Sequence, residues 1–276
     1  MPRSPLTLVQ LRERYVTRAR PMPADVEAAL RADPRPGAQA LLTAVQKRRF
    51  ENRAEGQRLR TMLRFETELW SQGLQLIAGV DEAGMSPLAG PVAAGAVIFS
   101  PDTRIPGVDD CKRLDARERE RLAPLIRAQA VAWSVAFVEP DEIDSLNIYW
   151  AGVAAMKRAV AGLGVVPEHV LLDGRRIKDF PHPQRAIIKG DQKSLSIAAA
   201  SILAKTERDE RMRQFDAVHP GYGFAVHKGY PVKAHLAALA KLGPCPIHRR
   251  SFAPVRQAAG LPPDNATASQ TAAQSP

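Results

Sequence analysis

The chain has 276 residues, 45% hydrophobic and 25% charged, a composition that excludes wholesale disorder, a collagen-like repeat and a coiled-coil rod. Lysine plus arginine outnumber aspartate plus glutamate by 39 to 29, and the resulting net charge of +10 favours a polyanionic partner such as nucleic acid. Two isolated cysteines and apolar runs well short of the ~18 residues of a membrane span exclude a disulfide framework and an integral membrane protein, so we expect a cytoplasmic protein.

Residues 1–73 are predicted to form a basic helical extension. Residues 1–75 contain fourteen lysines or arginines against eight acidic residues, and apolar residues recur at helical spacing from Ala38 to Trp70. A turn cluster at 33–37 separates this helix from a shorter one before it. The extension could enlarge a nucleic-acid surface or could pack on the domain that follows, and the sequence leaves both interpretations open.

From Leu76 the pattern changes to short apolar runs of strand length, at 76–80, 92–99 and 132–138. Two later runs, 170–172 and 186–188, alternate with helical segments at 143–163 and 195–212. Adjacent early strands without helices between them, followed by strands with helices, predict an α/β domain over 74–256 with a mixed sheet flanked by helices. Residues 257–276, rich in Ala, Pro, Ser, Thr and Gln, are predicted to form a disordered tail.

Acidic residues follow three of the predicted strands. Asp81 and Glu82 come after the first run, Asp173 after the fourth, and Asp191 shortly after the fifth. Taken alone, the Asp81–Glu82 pair is better explained as polar residues at a turn, and its recurrence after other strands raises its significance. Carboxylates that converge in one crevice repel each other unless a divalent cation neutralises them. Oxygen ligands without His or Cys favour Mg²⁺ or Mn²⁺, which suits phosphodiester hydrolysis. Because consecutive strand residues face opposite sides, Asp81 is the safer ligand of the first pair.

The segment at 79–92, GVDEAGMSPLAGPV, resembles the signature of bacterial ribonuclease HII. Further segments resemble that family in the same order: LDG at 172–174, KGD at 189–191, AAASILAK at 198–205, YGF at 222–224, HKGYP at 227–231 and HRRSF at 248–252. The resemblance spans about residues 76–256, and the N-terminal extension resembles one found in some bacterial members. Several separate motifs in one order are far more specific than any one of them alone.

The resemblance implies a ribonuclease H-like fold and an endoribonuclease that uses Mn²⁺ or Mg²⁺, in a two-metal arrangement. It implies cleavage on the 5′ side of ribonucleotides in RNA–DNA hybrids and of single ribonucleotides in duplex DNA, as in ribonucleotide removal and genome maintenance, by a monomer. The catalytic and metal-binding roles fall on Asp81, Glu82, Asp173 and Asp191. We predict substrate contacts at Gly84, Met85, Ser86, Lys112, Lys193, Tyr230 and Arg249, with Tyr230 reading the 2′-hydroxyl of the ribonucleotide.

Two segments depart from the family pattern. The family's Gly-Arg-Gly is Gly-Met-Ser at 84–86, so a guanidinium that meets phosphate is missing and a serine restricts the backbone. The family's Asp-Ser-Lys is Asp-Cys-Lys at 110–112, which retains Lys112 for a phosphate and replaces a hydroxyl by the thiol of Cys111. The Met85-Ser86 departure supports a second hypothesis, a catalytically weak hybrid-binding protein with altered junction recognition. An ATP-driven helicase is excluded because the chain has no GxxxxGK[ST] motif.

Overall fold

The structure is a computed structural model that describes residues 6–262, and the chain divides into two compact units after Arg60. The first unit contains α1 (Leu8–Arg12), a π-helical turn (Glu13–Thr17), α2 (Ala24–Ala32) and most of α3 (Pro36–Met62). The predicted N-terminal helical extension is therefore confirmed. Its apolar core consists of Tyr15, Met22, Leu30, Ala38, Leu41, Leu42 and Val45.

The second unit contains a five-stranded sheet. Its strands are β1 (Ile77–Ala83), β2 (Val92–Ile98), β3 (Ala132–Val138), β4 (His169–Asp173) and β5 (Gln184–Ile187). Its helices are α4 (Arg64–Ser71), α5 (Ala116–Gln129), α6 (Pro140–Leu146), α7 (Ile148–Ala161), α8 (Leu195–Val218), α9 (Phe224–His227), α10 (Lys233–Leu242) and α11 (Ala253–Ala258), with a 3₁₀ turn at Gly190–Gln192. The strand order is β3-β2-β1-β4-β5, antiparallel from β3 to β1 and parallel from β1 to β5. The predicted mixed sheet flanked by helices is confirmed.

Helices α7 and α8 cover opposite faces of this sheet. Alternate residues of β1, such as Ala78 and Val80, pack with the alanines of α7, whereas Ile77 packs with Ile197 of α8. Close approach of α8 depends on a missing side chain, because a β-carbon on Gly79 would lie 2.3 Å from the backbone nitrogen of Ile197. The centre of the sheet is thus buried on both faces, and the carboxyl ends of its parallel strands remain available for a site.

The two acids of the first predicted strand lie inside β1, not after its end as the sequence predicts. β1 pairs with β2 through Ala83, whereas its pairing with β4 ends at Val80. The strand therefore ends before Asp81 on the side of β4 only. This half-paired edge leaves room beside the acid at the carboxyl ends of the parallel strands.

The domain boundaries given by the sequence stay predictions. The compact units divide after Arg60, earlier than the boundary near residue 73, so α4 belongs to the second unit. Helix α11 continues into the predicted tail, and the Arg256 guanidinium donates to the carbonyl oxygen of Pro262 at 2.6 Å. The rest of that tail, residues 263–276, lies outside the described residues. Within residues 6–262, no helix combines the length and the apolar composition needed to cross a lipid bilayer.

Candidate active site

A buried carboxylate lies on the α8 face of β1. Asp81 is 4% exposed and lies opposite Gly95 of β2. It is two residues from Gly79, so strand alternation directs both toward α8. The backbone N–H of Glu82 donates to Asp81 Oδ1 at 2.7 Å, which fixes the carboxylate from its own strand.

Asp173 and Asp191 are brought together by the turn before α8. Asp173 is the last residue of β4, and the backbone N–H of Gly190 donates to its Oδ1 at 2.6 Å. The chain reaches this position through Lys189, whose φ of 56° is left-handed. Asp191 follows within the 3₁₀ turn and is 3% exposed. A tight turn therefore places the partly buried Asp173 beside the buried Asp191.

One carboxylate oxygen from each of Asp81, Asp173 and Asp191 lies within 4.8 Å of the other two. Burial, followed by the charges of Glu82 and Asp173, raises the pKa of Asp81 well above its ordinary value. Burial and Asp173 also raise the pKa of Asp191. A divalent cation would relieve this repulsion, and an all-oxygen set suits Mg²⁺ or Mn²⁺. We call these three residues the acid cluster, and it could hold a metal ion.

The fourth predicted acid, Glu82, lies next to the acid cluster without joining it. It lines a cavity of about 120 Å³ on the α7 side of β1, together with Asp173, Met85 and Tyr149. Burial and then Asp173 raise the pKa of Glu82, while Arg175 and Lys112 act in the opposite direction. Asp81 belongs to the acid cluster, whereas Glu82 lies beside it, and the metal-binding roles of both stay predictions.

The loop after β1 turns at Gly84, whose φ of +91° is left-handed. A β-carbon there would lie 2.1 Å from Nε of Arg208, so a larger residue does not fit. Met85 is half-buried and turns toward α7, where a β-carbon on Gly152 would lie 3.0 Å from its Cε. Ser86 is exposed. The loop therefore leaves the Ser86 hydroxyl on the surface and directs the Met85 side chain inward.

The position of Arg249 does not fit the direct substrate contact predicted for it. The side chain is 0% exposed and donates to the carbonyl oxygens of Gly84 at 2.6 Å, Met85 at 3.1 Å and Gly90 at 2.9 Å. Burial is the main cause that lowers its pKa to about 9, so it remains charged at neutral pH. We revise its role to support of the loop at 84–90, because its donors are used by the protein's own carbonyl groups.

A second buried arginine, which the sequence reasoning missed, supports the same loop. Arg208 is 0% exposed and donates to the carbonyl oxygens of Ala89, Pro91 and Lys228. Its neighbours one turn away on α8, Ala204 and Met212, are also fully buried. An arginine at helical spacing between apolar residues was the signal that could have identified it.

Lys112 lies beside the acid cluster. Its Nζ is 3.4 Å from Asp191 Oδ2, and its side chain is 76% exposed. Partial burial acts against the charged form, but the charges of Asp191, Asp81 and Asp110 raise the pKa of Lys112 to about 12. Asp110 is buried and accepts from the backbone N–H of Lys112 at 2.8 Å and from Gln192 at 3.2 Å. These bonds tie the lysine loop to the turn that carries Asp191.

Two further predicted positions lie near this loop and turn. Burial raises the pKa of the Cys111 thiol, which disfavours the thiolate that a nucleophile requires. Lys193 is half-buried and donates from Nζ to the carbonyl oxygen of Ile188 at 2.8 Å. Its predicted contact with substrate stays a prediction.

Tyr230 lies between a lysine and a buried pair of histidines. Nζ of Lys205 is 5.4 Å from the centre of its partly exposed ring. Its carbonyl oxygen is 2.9 Å from Nδ1 of His235, whose Nε2 is 3.1 Å from Nε2 of His248. Nδ1 of His248 accepts from the backbone N–H of Cys245 at 3.0 Å. This series of hydrogen bonds fixes the backbone that carries Tyr230.

The histidine pair predicts a loss of stability in mild acid. His248 is 2% exposed, and burial followed by the charge of His235 lowers its pKa to about 4. The unfolded chain takes up this proton near the ordinary value of 6.5, so the stability contributed by the neutral group is lost as pH falls from 6.5 toward 4. We expect this contribution to be about 2 kcal/mol smaller at pH 5 than at pH 7.5. Urea unfolding of the parent and His248→Gln at both pH values measures it, and an equal pH dependence in the two proteins contradicts it.

Known sequences resemble both parts of this chain. A sequence model described as Ribonuclease HII matches residues 78–255, and one described as Ribonuclease HII N-terminal domain matches residues 18–70. Ribonuclease HII of Anaeromyxobacter sp. is 58% identical over 258 residues, which cover 94% of this chain and 82% of that protein. Ribonuclease HII of Myxococcus xanthus is 57% identical over 256 residues, which cover 92% and 87%.

Solved structures share the fold. The ribonuclease H2 from Pyrococcus horikoshii OT3 aligns with a TM-score of 0.58 and 25% identity, over 67% of this chain and 97% of that chain. The PCNA:RNase HII complex from Archaeoglobus fulgidus contains a chain that aligns with a TM-score of 0.55 and 26% identity, over 63% and 93%. The ribonuclease H-like fold implied by the resemblance is confirmed. Since a ribonuclease HII model spans most of the sequence and relatives of that name share more than half of its residues, this chain belongs to the ribonuclease HII family of endoribonucleases.

Proposed function

We propose that this chain is a metal-dependent endoribonuclease that hydrolyses the phosphodiester on the 5′ side of ribonucleotides, leaving 3′-hydroxyl and 5′-phosphate ends. Its substrates are RNA–DNA hybrids and duplex DNA that contains single ribonucleotides, which places it in ribonucleotide removal and genome maintenance. The observation that carries the proposal is the approach of Asp81, Asp173 and Asp191 to within 4.8 Å of one another. A basic chain of net charge +10 supports a nucleic-acid substrate.

The acid cluster supplies the ligands that this chemistry requires. Asp81, Asp173 and Asp191 would hold the divalent ions, with Glu82 as a further acid beside Asp173. Mg²⁺ or Mn²⁺ held there would activate water and neutralise charge on the phosphate. The protein holds the carboxylates in place through backbone donors, the N–H of Glu82 for Asp81 and that of Gly190 for Asp173. Preorganised ligands of this kind hold the ions without further rearrangement of the main chain.

The groups around the acid cluster bind the substrate. Lys112 stays protonated beside Asp191 and is largely exposed, so it contacts a phosphate close to the cleaved bond. Tyr230 packs its ring against the sugar at the junction and senses the 2′-hydroxyl. The surface hydroxyl of Ser86 and the main chain of the loop at 84–86 approach the same sugar. Arg249 supports that loop from the protein interior through its hydrogen bonds to Gly84 and Met85.

Replacing Lys112 by methionine is expected to weaken duplex binding uniformly across sequences. One fewer phosphate is neutralised, so the slope of log affinity against log salt becomes shallower by about one. Fluorescence anisotropy at several salt concentrations, without divalent ions, measures both effects. Arg113→Met is the matched control, because Arg113 is exposed and pairs with Asp109 at 3.3 Å. If the salt slope of Lys112→Met equals that of the parent, Lys112 contacts no phosphate and only pairs with Asp191.

A cleavage assay tests the proposed function. A labelled DNA duplex with one ribonucleotide is incubated with the protein and either Mg²⁺ or Mn²⁺, and the product ends are mapped. We expect a single nick directly 5′ of the ribonucleotide, with a 5′-phosphate on the ribonucleotide fragment. A second duplex with an all-RNA strand measures the preference between the two substrates. Binding without a nick in either metal would favour the hybrid-binding hypothesis instead.

A further inference from the structure

A buried carboxyl group outside the acid cluster lies at the start of α8. Glu66 of α4 is 1% exposed. Its Oε1 accepts from the Ser194 hydroxyl at 2.6 Å, the Ser196 hydroxyl at 2.6 Å and the Ser196 backbone N–H at 3.1 Å. All three donors are uncharged, and within residues 6–262 its Oε2 is buried without a hydrogen-bond partner. Burying a carboxyl group among uncharged donors costs free energy. The three hydrogen bonds at Glu66 Oε1 therefore indicate that this residue has a role beyond packing.

The serines connect Glu66 to two members of the acid cluster. Ser194 is the N-cap residue of α8, and its backbone N–H donates to the carbonyl oxygen of Gly190 at 2.8 Å. The N–H of Gly190 donates to Asp173 Oδ1 at 2.6 Å, and Asp191 is the next residue along the chain. A continuous series of hydrogen bonds therefore runs from Glu66 through the start of α8 to Asp173 and to the turn that carries Asp191.

The opposite side of the same segment is fixed by β1. A β-carbon on Gly79 would lie 2.3 Å from the carbonyl carbon of Ser196 and 2.4 Å from its hydroxyl oxygen. Asp81 follows Gly79 by two residues on the same face of the strand. Ser196 is thus confined between Glu66 and β1. Because Ser194 is hydrogen-bonded to Gly190, a displacement of the start of α8 that carries this turn with it changes the distance between Asp191 and Asp81.

We propose that Glu66 is a positioning residue for the acid cluster, acting through Ser194 and Ser196 to set the distance between Asp191 and Asp81. The inference rests on the proposed function, in which these carboxylates hold divalent ions. Loss of a group that orients metal ligands through hydrogen bonds typically weakens metal affinity 10–100-fold. Glu66 lies within residues 18–70, which match the N-terminal domain model, so this part of the sequence contributes a residue that supports the active site.

Calorimetric titration of the full-length protein with Mn²⁺ tests the proposal. We expect Glu66→Ala to weaken Mn²⁺ binding roughly tenfold or more. Glu66→Gln should stay within about threefold of the parent, because its amide oxygen can still accept from both serines. Glu68→Ala is the matched control on the same helix, since the Glu68 side chain is 51% exposed and pairs with Arg185. The Mn²⁺ concentration for half-maximal cleavage should follow the same order, with KM for the duplex unchanged.

A folded Glu66→Ala protein with parental Mn²⁺ affinity would overturn the proposal, as would a Gln variant as weak as the Ala variant. If Glu66→Ala does not fold, the double variant Ser194→Ala and Ser196→Ala takes its place, with the same roughly tenfold weakening expected. Parental affinity in that double variant also overturns the proposal. A parent protein that binds no Mn²⁺ contradicts the proposed function itself. Tight Mn²⁺ binding by the parent that is unchanged in Glu66→Ala contradicts only the positioning role.

Discussion

Replacing Asp81 by asparagine is expected to slow cleavage of a duplex containing one ribonucleotide by roughly 10³-fold or more. Asparagine keeps the size of the side chain but removes a negative charge that a divalent ion in the acid cluster requires. The buried position, 4% exposed, leaves little room for water to replace the lost ligand. Duplex binding should persist, because the phosphate contacts that we propose come from Lys112 and other basic groups. Single-turnover cleavage and anisotropy measure the two effects separately.

Asp109→Asn provides the matched control for Asp81→Asn. Asp109 is half-buried on the loop before Lys112 and pairs with Arg113 at 3.3 Å, so its loss should leave cleavage within a few fold of the parent. Thermal unfolding gives a second readout. Without metal, Asp81→Asn should melt at a higher temperature than the parent because repulsion is relieved, and Mn²⁺ should no longer stabilise it. Cleavage by Asp81→Asn close to the parental rate would contradict the assignment.

Replacing Arg249 by methionine is expected to lower the free energy of unfolding by about 3 kcal/mol or more. The variant leaves the carbonyl oxygens of Gly84, Met85 and Gly90 without their donor in the protein interior. Because that donor holds the loop next to the acid cluster, cleavage should also fall in protein that is still folded. Urea unfolding and the cleavage rate below the unfolding transition measure these effects.

The neighbouring Arg250 provides a control for this substitution. Arg250 is exposed, and its backbone N–H, not its side chain, donates to Asp144 at 2.7 Å. Arg250→Met should change stability by less than about 0.5 kcal/mol. Equal stability of the two variants would show that the buried guanidinium does not support the loop.

The acid cluster could be predicted from the sequence because each acid lies shortly after an apolar run, a pattern that is visible locally. Asp173 directly follows an apolar run and Asp191 lies shortly after another, and parallel strands bring their carboxyl ends to one edge of a sheet. The mixed sheet could also be predicted, because the first two strands follow one another without the helix that a parallel connection requires. Periodicity of two along β1 also identified Asp81, ahead of Glu82, as the member of the pair that faces the other acids.

The remaining features depend on contacts between residues far apart in the sequence. The acids lie inside β1 because β2 extends the pairing as far as Ala83, which no local pattern shows. In the sequence, Arg249 resembles a surface charge. In the structure it donates a hydrogen bond to the carbonyl oxygen of Gly84, 165 residues away. Glu66 meets Ser194 across 128 residues, so its role emerges only after folding. The inward turn of Met85 likewise depends on Gly152 of α7.

Anomalous diffraction from crystals grown with Mn²⁺ tests most directly whether the three carboxylates of the acid cluster bind the metal ions proposed for hydrolysis. We expect an anomalous peak within coordination distance of oxygens from Asp81, Asp173 and Asp191, which in the structure lie within 4.8 Å of one another. No peak should appear at this position in Asp81→Asn crystals prepared in the same way. Mn²⁺ bound elsewhere in an active protein, with all three carboxylates unliganded, would contradict the assignment.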